Sequence, residues 1–159
     1  MDEWANFGVA VTGVSGALIG LIFVALSINL RQIIGSASLP GRAIVALALL
    51  TLPLLSAMLL LVPQPATAYG VELLVIGVLF GVWLLYMVRP GTREAQQPLV
   101  ARLVGTVGPV VVATAGAVVG GVLLVAGSEA GVYGVVVATV AGFAGALLTT
   151  WVLLVEILR

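Results

Sequence analysis

The chain has no cysteine, no histidine and no lysine, and only 8% of its 159 residues are charged. Each absence removes a class of chemistry. Without cysteine there is no disulfide, no thiol nucleophile and no thiolate metal site, and the redox compartment cannot be read. Without histidine, imidazole acid–base catalysis, haem ligation by histidine and the usual zinc sites are excluded. Without lysine no Schiff base forms, retinal attachment included, and a phosphate-binding P-loop lacks its essential cation. Serine or threonine nucleophiles would need a base. The six acids, Asp2, Glu3, Glu72, Glu94, Glu129 and Glu156, are too scattered to supply one at a recognisable spacing. The sequence therefore predicts no enzyme and no cofactor. Six arginines balance the six acids, so no basic footprint points to nucleic acid.

What remains is apolar. With 62% hydrophobic residues and a mean hydropathy of +1.32, the chain has too few polar side chains to clothe a soluble globule. Trp4 to Leu30 runs 27 residues without an ionisable side chain. As a helix that stretch is roughly 40 Å long, more than the ~30 Å hydrocarbon core of a bilayer. The N-terminus lacks a positive n-region and the apolar run exceeds a signal-peptide h-region, so no cleavage is expected. Turn chemistry at Gly35–Gly41, Pro63-Gln64-Pro65, Arg89-Pro90-Gly91 and Gly127–Gly131 divides the rest. The prediction is an all-α membrane protein, a single domain with five transmembrane helices over about 4–30, 42–62, 69–88, 103–125 and 132–154. Pro53 lies inside the second span and predicts a bend near Leu49 to Pro53.

Charge orients these spans. With five of them, Arg31, Arg42, Arg89, Arg93, Arg102 and Arg159 all fall on one side, and Asp2, Glu3, Glu129 and the neighbourhood of Glu72 on the other. Positive residues favour the cytoplasm, which puts the N-terminus outside and the C-terminus inside a multi-pass protein of the cell membrane. The amphipathic aromatics repeat the division: Trp4, Tyr69 and Tyr133 at outer ends, Trp83, Tyr86 and Trp151 at inner ends.

Two small-residue patterns carry the interaction reading. On the first span Asn6, Gly13, Gly20 and Ser27 recur at intervals of seven, with Gly16 on the same side and Thr12 at its edge. Small residues let a second backbone approach, and polar ones need partners in a dry medium. Such a stripe packs within the protomer, packs between protomers or on another membrane protein, or lines a path for a solute. The second pattern joins the last two spans: Gly116 and Gly120 face a ladder of Gly134, Ala138 and Gly142, which predicts a close-packed hairpin.

Few polar residues lie near the spans. Glu72 sits at the start of the third, either as an interfacial anchor favoured by the helix dipole or as an ion- or proton-handling site facing a cavity. Ser27, Asn29 and Arg31 cluster at the cytoplasmic end of the first span, where Arg31 snorkels to the interface or the group shapes a vestibule.

Trp4, Gly13 and Gly16-Ala17 leading into LIFVALSINLRQII, together with Gly70-Val71-Glu72-Leu73-Leu74, resemble a group of small bacterial polytopic membrane proteins. Some members are described as modulators of a membrane-bound AAA protease of the FtsH type. The likeness is fullest over about the first 35 residues and thinner across the Gly/Val/Ala-rich second half. It implies an inner-membrane protein with a regulatory role and brings no catalytic motif.

Two functions follow as expectations. One is a non-enzymatic packing, assembly or regulatory module, homo-oligomeric or bound to another membrane protein in the bilayer. The other is a small oligomeric channel or transporter, with the first span lining a mostly neutral path and Glu72 at its outer mouth.

Overall fold

The computed structural model describes residues 2–36, 38–88 and 103–157, all but a few in helices and none in strands. After a short 3-10 turn over Asp2–Trp4 the helices are α1 (Ala5–Ile28), α2 (Leu30–Gly35), α3 (Leu39–Leu60), α4 (Ala66–Met87), α5 (Gly108–Val125) and α6 (Gly131–Ile157). A π-helical turn over Leu103–Val107 leads into α5. Among the described residues five helices are long and apolar enough to cross a membrane, with α5 counted together with its π-turn.

The element boundaries depart from the expected ones for local reasons. The first span stops at Ile28, because the Asn29 carboxamide donates to the Ala25 carbonyl at 2.9 Å. The Asn29 backbone N–H is aimed at the same oxygen from 3.4 Å, so the side chain competes with the helix and the chain restarts as α2. Helix intrudes on the loop expected over Gly35–Gly41 from both sides, since α2 runs to Gly35 and Pro40 sits in the first turn of α3, where a missing N–H is harmless. α4 begins at Ala66, directly after Pro65, and Glu72 therefore lies in its second turn. The polar stretch 89–102, with Arg89, Arg93 and Arg102, lies outside the described residues, as does Arg159.

α3, α4, α5 and α6 form a closed ring in which each packs on the next and α6 returns to α3. α1 lies outside that ring, chiefly against α3. Burial follows this arrangement: 61% of the α3 span is buried against 17% of the α1 span. Leu49, Leu50 and Leu52 of α3 meet Tyr69, Leu73 and Leu84 of α4, Val110 and Ala117 of α5, and Val135 and Ala146 of α6 in one core.

The bundle has two distinguishable ends. At the N-terminal end Trp4 stacks edge-to-face on Tyr133 at 5.3 Å, and the start of α4 meets the end of α5. At the C-terminal end Ile33, Leu39, Ala43 and Leu153 form a separate small cluster, with Leu26 against it.

Candidate functional site

The buried line of α1 is Gly8, Val11, Ser15 and Ile22. A Cβ on Gly8 would lie 2.9 Å from the Leu61 side chain and 3.4 Å from the Ala57 carbonyl oxygen, so α3 closes on α1 at that point. At ~100° per residue, the line through Asn6, Gly13, Gly20 and Ser27 falls on roughly the opposite side of the helix. The structure bears out that geometry. Asn6, Gly13, Gly16, Gly20 and Ser27 are exposed, and among the described residues a Cβ added at any of the three glycines would meet nothing within 4 Å.

Among the described residues, then, none packs on the glycines of the stripe. α3 has chosen the Gly8/Ser15 face, where larger apolar residues alternate with small ones, and has left the Gly13/Gly20 face open. Val9, Phe23 and Val24, all more than half exposed, flank that open face. Ser27 satisfies itself by donating to the Phe23 carbonyl at 2.8 Å. Thr12 sits at the edge, its hydroxyl buried without a hydrogen-bond partner. Arg31 is exposed on α2, one turn past the break at Asn29.

The second pattern has closed. A Cβ on Gly116 would lie 2.9 Å from the Gly134 carbonyl oxygen and 3.0 Å from the Ala138 nitrogen. One on Gly134 would lie 2.6 Å from the Gly120 Cα. Helix backbones touch here, which any side chain would prevent. Gly142 is a correction to the hairpin reading, because it faces α3: its Cβ would lie 2.6 Å from the Leu49 carbonyl oxygen and 3.5 Å from the Pro53 ring.

A third close contact was not expected. On α4, Gly70 meets Gly121 and Val125 of α5, with a Cβ on Gly121 lying 2.8 Å from the Gly70 oxygen. Two turns deeper, Gly77 meets Ala117 and Val118, its Cβ 3.1 Å from the Val118 nitrogen. The signal was present, since Gly70, Gly77, Gly81 and Leu84 follow the spacings of 7, 4 and 3 that keep to one helix face.

Polar groups act as ties. The Glu72 carboxylate is half-buried and accepts a 2.8 Å hydrogen bond from the Gln64 amide, which also reaches the Leu59 carbonyl at 3.1 Å. Glu72 thus holds the α3–α4 turn. Tyr69, expected at an interface, is fully buried, and its hydroxyl donates to the Ser56 carbonyl of α3 at 3.0 Å. Among the described residues no three His, Cys, Asp or Glu side chains come together in a way that could hold a metal ion.

No protein family, curated protein or solved structure matches the chain. The geometry of its faces is therefore the guide to function.

Proposed function

We propose that this is a multi-pass protein of the bacterial inner membrane that acts as a non-enzymatic assembly module, with α1 of one copy packing on α1 of another through the Gly13/Gly16/Gly20 face. One observation carries the reading: among the described residues the α1 glycine stripe has nothing against it, whereas the glycine faces of α4, α5 and α6 are closed by a neighbouring backbone. Lipid supplies no hydrophobic drive between helices, so association rests on packing, and small residues permit the closest packing. Asn6 and Ser27, at the two ends of the open face, give a second helix polar groups to align with. Six arginines at one set of helix ends support an N-terminus outside and a C-terminus in the cytoplasm.

The test is the mass of the particle in detergent or nanodiscs, for the native chain and for Gly13→Leu with Gly20→Leu. The native chain should run as a multimer and the variant as a single copy. Because both new side chains enter open space, the thermal unfolding of the protomer should not change. A variant particle as large as the native one rejects the α1 interface.

A further inference from the structure

The hydroxyls of the long helices fall into two groups. Ser27, Thr51, Ser56 and Thr114 each donate to the carbonyl four residues earlier in their own helix, at 2.7 to 2.8 Å. Such a bond satisfies a serine or threonine without help from another helix. Thr12, Ser15, Thr139 and Thr150 have hydroxyls that are buried and make no hydrogen bond among the described residues. Ser15 and Thr139 are the deepest of the four, at 0% and 4% exposure. A buried hydroxyl left without a partner costs free energy, so these two call for one.

Both flank a single turn of α3. α1 runs antiparallel to α3, with Gly8 against Ala57 and Leu61 and, at the other end, Leu26 against the cluster that holds Leu39 and Ala43. Ser15 lies two turns beyond Gly8 on the buried line of α1, level with residues 50–54. α6 is set against the same turn, since a Cβ on Gly142 would lie 2.6 Å from the Leu49 carbonyl oxygen and 3.5 Å from the Pro53 ring. Thr139 is one turn before Gly142, on the buried line of Val135, Thr139, Gly142 and Ala146. Pro53 has no N–H to give the Leu49 carbonyl four residues earlier, so that acceptor has lost its usual helical donor. The turn thus has a hydroxyl of α1 beside it, a hydroxyl of α6 beside it, and a carbonyl of its own in need of a donor.

We propose that a water molecule binds at this junction, accepting hydrogen bonds from Ser15 Oγ and Thr139 Oγ1 and donating one to the Leu49 carbonyl oxygen. Three bonds are the usual number for a buried water. Ordered water is also one of the groups that satisfy a carbonyl freed by proline in a membrane helix. A cation does not suit the place: neither α3 nor residues 8–22 and 135–146 contain an acid, and a charge there would be unpaired. The water fastens α1 and α6 to the proline turn of α3. It sits on the side of α1 away from the glycine stripe, so the site stands whether or not that stripe pairs.

The direct test is a crystal structure of the native chain at a resolution that shows ordered solvent. A solvent peak within hydrogen-bond distance of all three atoms is expected; no peak there, or either hydroxyl bonded to protein instead, overturns the site. Thermal unfolding in nanodiscs gives a second reading. Ser15→Ala and Thr139→Val should each lower Tm by roughly 3 °C, and the double variant by no more than the larger single loss, because either change removes the same bridge. Hydroxyls that lack any partner would give a Tm that rises or stays level on deletion, and hydroxyls bonded each to its own helix would give changes that add. Either result overturns the bridge. So does a native Tm that rises when sodium chloride replaces choline chloride, the mark of a cation site.

Discussion

The glycine stripe of α1 and the glycine ladder of α5 and α6 look alike in sequence and end in opposite situations. Both place small residues on one side of an apolar helix, and both contain a Gly-x-x-x-Gly. The α5/α6 ladder is closed to backbone contact, with Gly134 so near α5 that its Cβ would lie 2.6 Å from the Gly120 Cα. At Gly13, Gly16 and Gly20 the α1 stripe is open among the described residues. The difference lies in what surrounds each helix. α5 and α6 are joined by a short turn and belong to a closed ring, so their facing sides have no other outlet. α1 has a ring on one side only, and α3 takes the face in which Val11 and Ile22 accompany Gly8 and Ser15. A small-residue pattern thus marks a surface able to pack closely and leaves open what it packs against.

The sharpest way to break this comparison is one large substitution in each stripe. Gly134→Leu forces α5 and α6 apart at a backbone contact, and should destabilise the bundle by about 3 kcal/mol, the upper part of the range for overpacked interiors. Denaturation in mixed detergent micelles would measure it, and a loss below about 1 kcal/mol would show that the hairpin has room to adjust. Tyr69→Phe is smaller. It removes the hydroxyl bridge from α4 to Ser56 and should cost roughly 1 kcal/mol in the same assay, within the range for interhelical hydrogen bonds in membranes. Smallest is Gly16→Leu on α1, expected to leave protomer stability within about 0.5 kcal/mol of the native value, as for a surface site. Should Gly16→Leu destabilise as much as Gly134→Leu, the α1 face is occupied within the protomer and the comparison collapses.

Much of the fold was legible because it depends on quantities that add along the chain. Span number follows from apolar length, and the helix ends lie within a few residues of the turn signals. The misjudged boundaries have local causes: Asn29 competes for the Ala25 carbonyl, and Pro40 and Pro65 lead into helices that start earlier than the apolar runs suggest. The site was legible in part. The approach of Gly116 and Gly120 to Gly134 and Ala138 could be anticipated because a tight turn makes the two helices neighbours. Gly142 could not be assigned the same way, since which helix it faces depends on where α3 lies across the ring. The Gly70/Gly77 contact with α5 had a readable spacing, but 89–102 separates those helices in sequence and nothing local pairs them. Tyr69 was misread for a similar reason. Near a span end an amphipathic ring suits the interface, and only the position of the Ser56 carbonyl turns it inward.

The sequence by itself determined that this chain is apolar, helical and made of five segments long enough to cross a membrane, and that its six arginines lie at or between the ends of the apolar runs. Composition, run length and charge position are properties of the chain, and they survive any arrangement of the helices. The tertiary structure alone decided which glycine faces close, and that α1 turns its stripe away from its own bundle. Those depend on the rotation and neighbours of each helix, for which side chains as uniform as Val, Leu, Ala and Gly carry almost no directional signal until they interlock.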